Sequence, residues 1–181
     1  MTETASSHLA LTLADLNRIA GPDFVSVLGG IFEHSPWIAE RVAGRRPYGS
    51  LDALHGAMVA QMWAATADEQ LALLQAHPEL AGKEADSGAL TSHSTAEQDS
   101  VGLTRLSAGE KQRIRLLNEA YRDKHGFPFI IAVRLRSKSQ IFAEFDRRLN
   151  NDPAEEFTTA LAEVGRIARI RLEALMSAMP A

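Results

Sequence analysis

His77, Ser94, Glu97, Gln98 and Arg171 have the side-chain types and placing that proton transfer and anion binding at neutral pH require. His77 ends a helical pattern and is followed by Pro78. Its imidazole can bond the last carbonyls of that helix. It can equally act as a general acid or base, because its reference pKa of about 6.5 lies near working pH. Ser94-x-x-Glu97 has the spacing of a capping box, and a helix N-terminus is also a place where an anion is held. Gln98 either faces solvent or offers its amide to a polar ligand.

Arg171 is singled out by helical geometry. Phe157, Leu161, Val164, Ala168, Leu172 and Leu175 define an apolar stripe on the last predicted helix. At about 100° per residue Arg171 falls inside that stripe, whereas Arg166 and Arg169 fall outside it. A guanidinium on a core face needs a carboxylate or a polar pocket. It is therefore a structural ion pair or a fixed donor for an anionic ligand.

The elements that would position these groups are helical. Thr66-x-x-Glu69 and Ser107-x-x-Glu110 read as capping boxes, Thr12 as an N-cap with Asp15 three residues on, and Ser50 and Ser137 as starts of further helices. Asp23 and Ser35-Pro36 are read as two more starts. Asp152-Pro153 opens the last helix, which runs to about Met176. The polar stretch from His77 to Gln98 shows no period of 2 or 3.6 and reads as a long loop, a class of segment that is often functional. Phe127–Val133 could be a buried strand. No partner strand is visible, so an extended turn entering a buried helix is preferred. The expectation is an all-α, compact single-domain bundle of about eight or nine helices spanning 1–181, with residues 1–9 frayed and a long polar active-site loop.

Bulk properties narrow the function. A net charge of −4 supplies no basic field for nucleic acid or anionic membrane. With no cysteine there is no disulfide, thiolate nucleophile or Cys-based zinc site. The six histidines contain no His pair at metal spacing on a predicted helix, so no metal is expected. No Gly-rich phosphate loop or Gly-x-Ser-x-Gly elbow occurs. No signal pattern or membrane-length apolar run is present, and a cytoplasmic protein is expected.

Several motifs then carry a resemblance. They are Phe32-Glu33-His34-Ser35-Pro36-Trp37, His77-Pro78-Glu79-Leu80-Ala81-Gly82-Lys83, Ser94-x-x-Glu97-Gln98 and Asn118-x-x-Tyr121 with Gly126-Phe127-Pro128-Phe129-Ile130. Arg148-Leu149-Asn150 and Ile167-Ala168-x-x-Arg171-Leu172 follow. In this order the chain resembles the 2-oxo-4-hydroxy-4-carboxy-5-ureidoimidazoline (OHCU) decarboxylases of uric acid degradation over roughly residues 12–176. His125 departs from the pattern, which has an aromatic residue before the glycine.

The resemblance implies an all-α, cofactor-free decarboxylase that is a homodimer and takes OHCU to (S)-allantoin. It implies His77, Glu97 and Arg171 as the catalytic set. Pro78, Ser94 and Gln98 would be substrate contacts, and Phe127, Phe129, Ile130 and Ile131 part of the pocket wall. The alternatives are a non-enzymatic helical interaction module and a protein that binds a ureido ligand without turning it over.

Overall fold

Helix starts in this chain are set by short side-chain bonds to free backbone N–H groups. Thr12, Thr66, Ser107 and Ser137 each accept from the N–H three residues on, and the side chain at that third position bonds back, closing four capping boxes. Ser50 caps its helix through the Ala53 N–H. Each such cap contributes about 1 kcal/mol.

The computed structural model describes residues 11–177, so the expected frayed run over residues 1–9 lies outside the described residues. The helices are α1 (Leu13–Arg18), α2 (Gly21–Leu28), α3 (Trp37–Ala43), α4 (Leu51–Trp63), α5 (Ala67–Gln75), α6 (Lys83–Ser87), α7 (Ser92–Ser100), α8 (Ala108–His125), α9 (Lys138–Arg148) and α10 (Pro153–Ser177). Two short 3-10 turns, Leu103–Arg105 and Val133–Leu135, complete the set. The all-α expectation holds, with no strand among the described residues. No helix among them is long and apolar enough to cross a membrane.

Three boundaries differ from expectation. The stretch from His77 to Gln98 is a tight turn followed by the short α6 and then α7. Its inward face is polar, so hydrophobic periodicity carries no signal there. Asp23 lies in the first turn of α2, whose cap is Ala20 with no side-chain bond. Pro36, not Ser35, occupies the cap position of α3, again without a side-chain bond.

The long helix α10 packs against α4, α5 and α8, and Ala160, Leu161, Val164, Ala168 and Leu172 join one apolar core. Three charged side chains on this helix are also buried: Glu156, Glu163 and Arg171. Each pins a segment that is not helical. Glu156 accepts from Arg148 Nη2 at 2.5 Å and from the Tyr121 hydroxyl, while Arg148 Nη1 donates to the Ile130 carbonyl at 2.8 Å. Glu163 accepts from the Ala132 N–H at 2.8 Å and from Arg136 at 2.9 Å. Gln75 donates to the Gly126 carbonyl at 2.9 Å. Side chains thus pair backbone groups of residues 126–132 that no neighbouring strand serves. This is how an apolar, strand-like run stays extended in an all-helical molecule before entering the 3-10 turn at Val133.

Gly126 ends α8 at φ 81°, a left-handed conformation that favours glycine. His125 takes the place of the expected aromatic, with its ring 4.6 Å from Tyr121 and 6.1 Å from Phe127, centroid to centroid. Burial is the main cause of its lowered pKa.

Replacing Glu156 by alanine strands the buried Arg148 guanidinium. The expected loss is about 3–5 kcal/mol of unfolding free energy in urea titration. A loss under about 1 kcal/mol, the size of an exposed pair, would show that this pair does not anchor the extended segment.

Candidate active site

His77 follows the last turn of α5. Its Nδ1 lies 2.9 Å from the Leu73 carbonyl oxygen. A carbonyl only accepts, so Nδ1 carries the hydrogen and Nε2 presents a lone pair. That Nε2 is buried and has no protein partner. Burial, the largest cause, pushes the His77 pKa down to about 4. The Leu73 bond and the Glu33 and Glu97 carboxylates oppose the shift, and Arg171 adds to it. The imidazole is therefore neutral at pH 7, with one nitrogen fixed and the other free. The carbonyl bond and a chemical role coexist in one ring.

α7 brings the next group. Its cap is Thr91, whose hydroxyl accepts from the Ser94 N–H. Ser94 therefore lies inside the first turn and Ser94-x-x-Glu97 is not a capping box. Ser94, Glu97 and Gln98 stand at i, i+3 and i+4 on one helix face, and that face looks inward: Ser94 and Gln98 are buried. Gln98 Oε1 accepts from the Ala81 N–H at 2.8 Å, and Nε2 donates to the Glu79 carbonyl at 3.4 Å. Ala81 has φ 46°, a conformation that costs a non-glycine residue about 1–2 kcal/mol. Gln98 holds the turn after His77-Pro78 in that shape.

Arg171 is 3% exposed, as its place on the apolar stripe predicts. Its Nε and Nη2 donate to the two oxygens of Glu97 at 2.8 and 2.9 Å. Nη1 donates to Glu33 Oε2 at 2.8 Å, and Nη2 also donates to Ser94 Oγ at 3.2 Å. Burial works against the charge of Arg171, but the bonds to Glu97 and Glu33 outweigh it and raise the pKa above its ordinary value. Outside the stripe, the exposed Arg166 pairs with the buried Glu163, and Arg169 pairs with the exposed Asp52 and Glu173.

Glu33 is the residue that sequence reasoning did not assign. It lies in the corner between α2 and α3, beside His34, which has φ 46°. Gly29 makes the corner possible, since a Cβ there would stand 2.7 Å from the Val25 carbonyl oxygen. Burial alone would raise the pKa of Glu33, yet Arg171 and the Thr91 hydroxyl hold it below the usual carboxylate value. The available signal was a carboxylate directly after Ile31-Phe32 in a turn, but its partner is 138 residues away.

His77, the inward face of α7 and Arg171, but not Glu33, line one cavity with about 360 Å³ of empty space, including its mouth. His77, Ser94, Glu97, Gln98 and Arg171 form the polar side, and Pro78, Leu80, Phe129, Ile130 and Ile131, with Val133 and Ile167, form the apolar side. Phe127 is not part of the lining. Its ring packs edge-on to Tyr121 and Phe157 on the core side. Among the described residues no group of three or more His, Cys, Asp or Glu is placed to hold a metal ion. The arrangement can accept a proton at His77 Nε2 and stabilise negative charge at Arg171, beside an apolar wall that limits water.

The sequence model of the OHCU decarboxylase family matches residues 17–173. The chain is 43% identical over 162 residues to the 2-oxo-4-hydroxy-4-carboxy-5-ureidoimidazoline decarboxylase of Haloferax volcanii, covering 90% of this chain and 94% of that protein. It is 37% identical to the Mus musculus enzyme of the same name, covering 93% and 94%. It also matches the uric acid degradation bifunctional protein of a Bacillus species at 40% identity, where 90% of this chain spans only 32% of the relative. Among solved structures, an (S)-allantoin synthase superposes with TM-score 0.74 at 33% identity, over 91% of this chain and 54% of the other. An OHCU decarboxylase determined in the presence of (S)-allantoin shares the fold, with TM-score 0.65 at 22% identity. On this extent of sequence agreement, the chain belongs to the OHCU decarboxylase family.

Proposed function

We propose that this protein decarboxylates OHCU to (S)-allantoin, with His77, Glu97 and Arg171 as its catalytic residues. The observation that carries the reading is the unpartnered Nε2 of a neutral, buried His77 in the same small cavity as the Arg171–Glu97 pair.

The substrate carries a hydroxyl and a carboxylate on one ring carbon, next to an imine carbon bearing the ureido group. His77 Nε2 accepts the hydroxyl hydrogen. The carbon–carbon bond to the carboxylate breaks and the carboxylate leaves as CO2. Its electron pair forms a carbon–carbon double bond, and the imine pair moves onto nitrogen, which takes up a proton. The resulting enolate collapses to the ring carbonyl as the ureido-bearing carbon is protonated on one face; the proton taken by His77 and one from solvent supply the two delivered to nitrogen and carbon. Arg171 stabilises negative charge developing on a ring oxygen. Glu97 orients His77 or the substrate N–H groups, and Ser94 and Gln98 hold its amides. Pro78, Phe129, Ile130 and Ile131 shape the wall.

The substrate contains its own electron sink, which supports turnover without a metal or organic cofactor. Family membership supports a homodimer working in the cytoplasm, without nucleic-acid or membrane partners.

The test adds the purified protein to freshly generated OHCU and follows optical activity by circular dichroism. The expected result is (S)-allantoin formed well above the spontaneous rate. Racemic product at the spontaneous rate would refute an enzymatic role.

A further inference from the structure

A guanidinium has five N–H donors, and in this structure all five of Arg171 are engaged. Nε and one Nη2 hydrogen go to Glu97. The other Nη2 hydrogen goes to Ser94 Oγ. Nη1 serves Glu33 at 2.8 Å and the Gly30 and Ile31 carbonyls at 3.5 Å. No donor is left for a substrate oxygen, so one partner must yield before Arg171 can act.

The two carboxylates are not equal candidates. Glu97 lines the cavity and its side chain is 14% exposed. Glu33 is 1% exposed and does not line the cavity. It also accepts from the Thr91 hydroxyl at 2.7 Å and the Ser94 hydroxyl at 3.0 Å. Releasing Glu33 would break three bonds in a dry place, whereas releasing Glu97 breaks two at the cavity wall.

We propose that Glu33 is a positioning residue: it holds Arg171 by Nη1 as a fixed pivot while substrate displaces Glu97 from the Nε/Nη2 edge. Binding is then a partner exchange. A substrate oxygen takes the edge that Glu97 leaves, and the freed Glu97 carboxylate accepts from the N–H groups of the ureido-bearing ring. Glu33 remains as the counter-charge throughout, so Arg171 is never a lone buried cation during the exchange. The same carboxylate also fixes the Ser94 hydroxyl. This rests on the proposed decarboxylase reading.

The experiment compares wild type, Glu33→Gln and Glu33→Asp. Glu33→Gln removes the charge and should lower kcat by about 10²-fold, the cost of a misplaced catalytic group, with KM little changed. His77 is faced by Glu33, Glu97, Arg171 and the Leu73 carbonyl. Losing the Glu33 charge should therefore move the acid limb of kcat to lower pH. Glu33→Asp keeps the charge but shortens the reach, so kcat should fall while the acid limb stays in place. The Arg171 Nε–H signal in ¹⁵N spectra supplies a readout independent of turnover: sharp in wild type, and broadened by solvent exchange in both variants. If Glu33→Gln does not fold, Glu33→Asp carries the test through its kcat and its Nε–H signal. Near wild-type kcat in a folded variant, together with an unchanged Nε–H signal, would overturn the proposal. A wild type that fails to decarboxylate but shows the broadening in its variants would refute the enzymatic reading and leave the pivot standing.

Discussion

Replacing His77 by alanine should lower turnover of OHCU by about 10²–10⁴-fold, the usual contribution of a general acid or base, while the helical circular dichroism remains. The variant removes the lone pair at Nε2 and leaves the α5 backbone intact. The pH profile should identify the group. The reactive form is neutral, and burial places the His77 pKa at about 4. Activity should therefore hold from neutrality down to near pH 4 and fall below it as Nε2 is protonated. A limb near pH 6.5 would mark a solvated histidine and contradict the buried geometry. Stability carries a matching signature. Between about pH 6.5 and 4 the unfolded chain binds a proton at His77 that the folded chain does not. This contribution to stability is complete above about 6.5 and lost as pH falls to about 4. It amounts to about 3 kcal/mol. Thermal melts of His77→Ala should lack that part of the acid slope. Wild-type turnover in the variant would reduce His77 to the Leu73 bond alone.

Arg171→Lys keeps the charge and should still lower kcat by about 10²–10³-fold, the scale of losing a fixed donor to developing negative charge. Lysine offers one ammonium in place of a planar fork. It cannot reach Glu33, both oxygens of Glu97 and Ser94 at once, as the guanidinium does. Because the contact strengthens as charge develops, the loss should fall on kcat more than on KM. Arg166→Lys and Arg169→Lys serve as controls on the same helix. Both guanidinium groups stay partly exposed and both substitutions keep the charge, so stability should change by no more than about 0.5 kcal/mol. Normal kinetics for Arg171→Lys would remove Arg171 from the reaction.

What the amino-acid order by itself determined was local. The caps at Thr12, Ser50, Thr66, Ser107 and Ser137 involve groups three residues apart, so their spacing announces them. The same holds for the left-handed end of α8 at Gly126. Placing Arg171 on a core face needed only the period of one helix, and the family motifs pointed to His77, Glu97 and Arg171 together. The tertiary structure decided the rest. α7 looked like a loop because its inward residues, Ser94 and Gln98, face a polar site, and a helix without an apolar stripe gives no periodic signal. Ser94-x-x-Glu97 imitated a capping box that Thr91 in fact precedes. The extended run from Phe127 to Ala132 depends on Arg148 and Glu163, and only their packing shows which of its side chains meet the cavity. Glu33 and Arg171 lie 138 residues apart. Neither local spacing nor hydrophobic period reaches that far, because a buried ion pair is specified by where two elements dock, and docking is settled only when the whole core closes.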